Sequence, residues 1–292
     1  MVKKIGIIGT GMLGNAVGLH LLESNFDLTV YNRTKEKTSE LKNRGAKVVS
    51  SPKEVAENSE LIIIIVKDAE AVKEISFGDN GIIKGKHLGL TVADMSTVNP
   101  IESKNITENF LEHKIIKLDI PVMGGPNLAI VGELVLIASG DKETFDKFKD
   151  VFEKIASKIF FLKGNGTANL VKLSMNLQIT MLALALSEGI TLMRSLNVEP
   201  KIFLDILNST YFKTGMSENK AYKMIQGKFE PTFTLANLRK DIRAIIDTAK
   251  AFGVKLPMIE KADQIYSKAM KSGFGKMDYT GILAYIKKIN ES

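Results

Sequence analysis

The chain has 292 residues, enough for one large domain or two of ordinary size, with ample core in either case. It has no cysteine and only three scattered histidines, which excludes a disulfide framework and a thiolate metal site, argues against a dedicated metal centre, and fits a reducing, cytoplasmic setting. Its 40 basic residues outnumber the 33 acidic ones, but the lysines are spread without an Arg-rich tract or interleaved aromatics, so the excess reads as a solvated surface favouring small anions and not as a nucleic-acid site.

From residue 3 to about 162, short β-rich runs alternate with helix-length amphipathic stretches, the pattern of a parallel sheet with helices on its faces. Strands are expected at Lys3–Ile8, Asp27–Tyr31, Leu61–Val66, Leu90–Asp94, Ile115–Asp119, Leu134–Ala138 and Lys158–Phe161. The run "LIIIIV" at Leu61–Val66 has no alternation, as a central strand buried on both faces requires. The opening "KKIGIIG" reads as a strand with no small-residue cleavage site behind it, so no leader peptide is expected.

After "FLKGNGT" the character changes. Residues 167–196, and the stretches around Pro200–Leu207, Leu235–Phe252 and Met258–Lys271, read as helices, with prolines near helix starts. The expected organisation is α/β: a doubly wound N-terminal domain over residues 1–163, an all-α domain over 164–292, a hinge at Lys163–Thr167, and a ligand cleft between the two. The longest uncharged helical stretch, Leu173–Ser187, carries Ser174, Asn176, Gln178 and Thr180 and falls short of the roughly 20 apolar residues of a span, so it reads as a buried helix and no membrane is implied. The apolar helix from Leu170 to Met193 exceeds what one small α domain covers, which points to a homodimer or homotetramer.

The stretch "IGIIGTGMLGNAVGLHL" places Gly9, Gly11 and Gly14 at G-x-G-x-x-G spacing between an expected strand and an amphipathic helix, inside a βαβ unit of the right length. Gly9 permits the tight turn, Gly11 lets the backbone approach a pyrophosphate, Gly14 lets helix and strand pack, and the helix N-terminus offers N–H groups to phosphate oxygens. Gly9, Gly11, Met12, Leu13 and Gly14 are the phosphate-side candidates for binding a dinucleotide. At the end of the second strand, where NAD binders place an acid, the chain reads "YNRTKEK"; Asn32, Arg33 and Thr34 supply donors, and an arginine suits a 2′-phosphate, so NADP(H) is the expected cofactor. Val66 and Lys67 follow the central strand at the edge where dinucleotides lie.

Further motifs follow in order: "DMSTVNP" at Asp94–Pro100, "DIPVMGGPNLAIVGELVLIASGD" at Asp119–Asp141, "GNGTANLVKLSMN" at Gly164–Asn176 and "FTLANLRKDI" at Phe233–Ile242. With these the chain resembles, nearly end to end, the β-hydroxyacid dehydrogenase family, which includes 3-hydroxyisobutyrate dehydrogenases and glyoxylate/succinic semialdehyde reductases. The resemblance implies a Rossmann-like N-terminal domain, an all-α C-terminal domain, and a catalytic lysine on the helix between them, at Lys172. From the residues alone, Lys172 and Asn176 are an i, i+4 pair on one helix face, a spacing that by itself favours a lysine snorkelling from the end of a buried helix. The resemblance makes Lys172 the general acid and base, oriented by Asn176.

It also implies that Ser96, Thr97 and the loop Met123-Gly124-Gly125 receive the substrate carboxylate, with Thr97 also beside the cofactor. Phe233 falls at a substrate-wall position. Lys240 and Asp241 fall at a pair that reaches the active site, and since adjacent helical residues diverge by about 100°, Lys240 is assigned to cofactor or substrate and Asp241 to the outer part of the substrate site. Two positions depart from the family pattern: Met123 stands where many relatives carry serine, and Ala168 where glycine is common. The implied activity is NADP-dependent interconversion of a small β-hydroxyacid and its semialdehyde or keto acid. The alternatives are an imine reductase-like enzyme and a non-catalytic dinucleotide-binding scaffold; Lys172 argues against the first, and Lys172 with no added module against the second.

Overall fold

Residues 4–291 are described by the computed structural model. Among them nine strands form one sheet: β1 (Lys4–Ile8), β2 (Asp27–Tyr31), β3 (Lys47–Val48), β4 (Leu61–Ile64), β5 (Thr91–Asp94), β6 (Ile116–Asp119), β7 (Val122–Met123), β8 (Leu134–Gly140) and β9 (Ala156–Lys163). Their order is β3-β2-β1-β4-β5-β6-β8-β7, with β9 on β8. The chain runs outward from β1 in one direction and from β4 in the other, so the order reverses between these neighbours, and a crevice at their carboxyl ends is where such sheets bind ligands. Both the glycine loop after β1 and the Ile65–Lys67 segment after β4 stand there.

Alternation explains why both faces are covered. In β1 and β4, Ile5, Ile7, Leu61 and Ile63 join one core with Val17, Leu21, Phe148 and Phe152, while Ile8, Ile62 and Ile64 join another with Val55, Val72, Val92 and Phe110. All four β4 residues are fully buried, and each such side chain contributes about 2 kcal/mol relative to exposure.

Two features depart from the expected parallel sheet. From β3 across to β6 the strands pair in parallel, but β8 runs antiparallel to β6 and β7. The chain from β6 to β8 carries only β7 and the short helix Pro126–Ala129, with no helix of the length a parallel crossover uses. The two-residue strands β3 and β7 are too short for any periodicity to reveal. Of the expected first strand, Lys3 lies outside the described residues.

The chain forms two compact units that divide between Lys172 and Leu173, inside the helix Thr167–Ser195. The second unit is helical: Pro200–Asn208, Gly215–Asn219, Ala221–Ile225, Leu235–Ala251, Pro257–Lys271 and Ile282–Asn290 follow the long helix. Leu238, Ile242 and Ile245, spaced by four and three, bury one face of Leu235–Ala251 against Tyr266, Ile282 and Ile286.

The long helix is buried on one face only, a departure from the buried helix expected. Asn169, Leu173, Asn176, Thr180, Ala183 and Ser187 recur every three or four residues on its buried side, whereas Leu170, Val171, Met175 and Leu192 are exposed. The buried side mixes small and polar residues with Leu173, Leu186 and Ile190, and apolar residues also stand on the exposed side. Among the described residues it is also the one helix long and apolar enough, by length and composition, to cross a membrane.

Candidate active site

At the end of β1 the backbone turns through Gly9, whose φ is +101° and whose N–H donates to Tyr31 O at 2.9 Å. A Cβ at Gly9 would lie 2.1 Å from Ile65 O, and one at Gly14 would lie 1.9 Å from Gly9 O, so both positions require glycine. A Cβ at Gly11 would meet nothing within 4 Å. That open side precedes the helix Met12–Glu23, whose N-terminus no side chain caps, an arrangement suited to receiving an anion at its first N–H groups. Met12 is half exposed there. These residues fit a dinucleotide pyrophosphate.

Asn32, expected beside the cofactor, also braces this loop. Its Oδ1 accepts from Thr10 N–H at 3.0 Å and its Nδ2 donates to Thr34 O at 2.8 Å, so the amide braces the turn. Arg33 and Thr34 are exposed, and Thr34 leads into the turn Lys35–Thr38 without a side-chain cap bond. Val66 N–H donates to Ser96 Oγ at 3.0 Å, and Lys67 is largely exposed, paired with Asp68 at 3.6 Å.

The expected substrate residues of the first unit come from three segments. Ser96 is buried after β5, its N–H donating to Asp94 Oδ1 at 3.0 Å, and Thr97 beside it is half-buried. Met123 pairs with Val135 of β8; Gly124 follows at φ +116°, and Gly125 leads into the helix Pro126–Ala129. Lys172 is half-buried, and its Nζ lies 3.3 Å from Met123 Sδ. The structure thus brings together Lys172 and the Met123-Gly124-Gly125 loop.

Sequence reasoning missed a charged cluster beneath these segments. Lys117 on β6 is fully buried, ion-paired with Asp119, 3.7 Å from Asp94 Oδ2 and donating to Ser103 Oγ at 3.0 Å. Burial alone would lower the Lys117 ammonium, but the Asp119 and Asp94 carboxylates reverse this and raise it. Burial would likewise raise Asp119, yet Lys117 holds it below the usual carboxylate range, whereas burial prevails at Asp94 and pushes it up. The signal available was a lysine in the middle of a β-rich run.

In the second unit, Asn176 is buried and its Nδ2 donates to Asp241 Oδ2 at 2.6 Å. Lys240 Nζ lies 2.7 Å from Asp241 Oδ1. The expected divergence of these neighbours holds for their backbone directions only, because the lysine stem folds back over the adjacent carboxylate. Phe233 is half-buried, its ring centroid 6.1 Å from that of Tyr279, just before Thr234 caps the helix Leu235–Ala251.

Residues 4–164 match the NAD binding domain of 6-phosphogluconate dehydrogenase, and residues 166–286 match the NAD-binding domain of NADP-dependent 3-hydroxyisobutyrate dehydrogenase. The chain is 30% identical to the uncharacterized oxidoreductase YfjR of Bacillus subtilis (strain 168), over 97% of this chain and 100% of that one. It is 29% identical to glyoxylate/succinic semialdehyde reductase 1 of Arabidopsis thaliana, over 97% of this chain and 98% of that one. Its fold is that of the 3-hydroxyisobutyrate dehydrogenase of Salmonella typhimurium, with a TM-score of 0.89 at 24% identity over 97% and 99% of the two chains. A glycine loop that fits a dinucleotide, on an α/β unit followed by an all-α unit, places this chain in the β-hydroxyacid dehydrogenase family, as an oxidoreductase that uses a nicotinamide dinucleotide.

Proposed function

We propose that the protein interconverts a small β-hydroxyacid and its semialdehyde or keto acid with NADP(H), and that Lys172 is the general acid and base. The observation that carries this reading is the Lys172 ammonium, half-buried against the Met123 thioether at 3.3 Å. A thioether is a weak acceptor, and a substrate carbonyl oxygen seated beside the Gly124-Gly125 turn is a stronger one. The nicotinamide, when bound, supplies or accepts the hydride. Lys172 polarises the carbonyl and gives its proton to the developing alkoxide; in the reverse direction it takes the proton back. Asn176 follows Lys172 by one helical turn, and Asp241 fixes its amide.

The preference for NADP rests on the end of β2. No carboxylate stands at Tyr31–Thr34, and the exposed Arg33 offers a planar, charge-assisted fork to a 2′-phosphate. The test is the initial rate of NADPH and NADH oxidation with glyoxylate, succinic semialdehyde and methylmalonate semialdehyde, for wild type and Lys172→Ala. We expect NADPH to be the better donor, and the variant to lose roughly 10²–10⁴-fold in turnover with NADPH affinity unchanged. Wild-type rates in Lys172→Ala would overturn the assignment.

A homodimer or homotetramer is part of this proposal. Leu192, Leu196, Ile202 and Ile206 on the second unit are exposed and apolar, which suits burial against another copy. Light scattering at the 32.1 kDa of a single chain would count against it.

A further inference from the structure

We propose that Lys117 is a positioning residue: its buried ammonium locks the Ser96 loop and the head of the long helix into one hydrogen-bonded unit, and through that helix sets where Lys172 stands. The inference rests on the reading of Lys172 as the proton donor.

A buried cation in a strand covered on both faces is costly unless it is paired, and an apolar residue would serve the core better. Lys117 is paired twice. Asp119 lies two residues along the same strand and therefore on the same face, and Asp94 stands opposite Asp119 in the parallel register with β5. From each carboxylate a line of hydrogen bonds leads to a segment of the site. Asp94 Oδ1 accepts from Ser96 N–H at 3.0 Å, and Ser96 Oγ accepts from Val66 N–H at 3.0 Å. Asp119 Oδ2 accepts from Gly166 N–H at 2.7 Å and from Ser139 Oγ–H at 3.5 Å, while Ser139 Oγ accepts from Ala168 N–H at 3.2 Å.

The head of a helix carries N–H groups that the helix itself cannot satisfy, and here side chains of β6 and β8 take two at and just before the first turn. Gly166 has a φ of +82° and a Cβ there would lie 2.7 Å from Pro100 O, so the turn fits in one arrangement. Asn169 Oδ1 adds a tie to the Ser96 loop by accepting from Val98 N–H at 3.2 Å. Lys172 lies six residues beyond Gly166, under two helical turns, so a shift at the first turn is carried to its Cα. Without Lys117, two carboxylates would share a dry site and the lines of bonds would part at their centre.

The test uses Lys117→Met and, because two bare carboxylates can prevent folding, also Lys117→Met/Asp94→Asn, in which Asp119 keeps Ser103, Ser139 and Gly166 as donors and the amide oxygen introduced in place of the Asp94 carboxylate can still accept from Ser96 N–H. Hydrogen exchange by mass spectrometry, NADPH affinity, and kcat and KM for NADPH with the aldehyde that wild type reduces fastest are measured on each folded variant. We expect exchange about 10-fold faster or more in residues 95–98 and 164–172 with Met12–Glu23 unchanged, NADPH affinity within about 2-fold, and kcat lower by about 10- to 100-fold with KM for NADPH unmoved. Exchange that quickens evenly across the first unit, or kcat at the wild-type value in a folded variant, would overturn the proposal. Absence of turnover in wild type would instead overturn the proposed function; the exchange pattern then decides Lys117 alone, local quickening supporting its role and even or absent quickening refuting it.

Discussion

The two units bury charge in opposite ways. In the sheet unit one cation, Lys117, serves two carboxylates, and all three side chains are buried. In the helical unit one carboxylate, Asp278, gathers many donors: Lys220 Nζ at 2.9 Å, Thr232 N–H and Oγ–H, and Thr280 N–H and Oγ–H, while Lys220 keeps part of its surface in water and lies over the Tyr279 ring. The titration follows the donor count. Burial prevails at Asp94 and raises it; at Asp278 burial alone would raise the carboxyl, but Lys220, Thr232 and Thr280 more than reverse this and hold it low. A buried acid is thus a source of stability or a burden according to how many donors converge on it.

Three substitutions test that contrast. The largest expected effect is that of Asp278→Ala, which strands Lys220 and the Thr232 and Thr280 N–H groups and should destabilise by about 3 kcal/mol at neutral pH. Because the native carboxyl is held below its unfolded value, its contribution is present above about pH 4 and lost as pH falls through the native value. Melting curves should therefore show the gap between wild type and Asp278→Ala closing in acid, and a gap constant from pH 7 to pH 3 would break the comparison.

Asp94→Asn should show the reverse slope. The folded protein holds the Asp94 proton more tightly than the unfolded chain, so wild type loses stability as pH rises from about 4 through the raised native value. Asparagine carries no such proton, and the melting temperature of the variant should gain on wild type between pH 4 and pH 8. A difference that stays flat or narrows would show that Lys117 satisfies both carboxylates.

The smallest effect is expected at Tyr266, whose hydroxyl is buried without a hydrogen-bond partner and whose ionisation burial opposes. Tyr266→Phe removes an unsatisfied polar group and should stabilise the protein by about 1 kcal/mol or less. A clear loss of stability in denaturant melts would reveal a bonded hydroxyl and sharpen the view that polar groups in the helical unit are paired.

Features that repeat within a few residues were legible from the start. The unbroken apolar run at β4, the three glycines after β1 and the i, i+4 spacing of Lys172 and Asn176 all follow from strand and helix periodicity. Features made by pairing distant segments were not. Asp94, Lys117 and Asp119 become a cluster only when β5 and β6 align, β8 turns antiparallel only because of what the chain before it can span, and the role of Asn32 depends on Thr10 across the turn. Asn176 and Asp241, far apart in the chain, meet only in the folded helical unit.

The sequence by itself determined the glycine loop, the order of the longer strands and helices, and the family to which the chain belongs, because local period and steric demand act between near neighbours. The tertiary structure decided which polar groups meet, since a hydrogen bond or ion pair depends on a few tenths of an ångström between segments far apart in the chain. It set Lys172 against Met123, drew Asn176 to Asp241, and buried Lys117 between two acids.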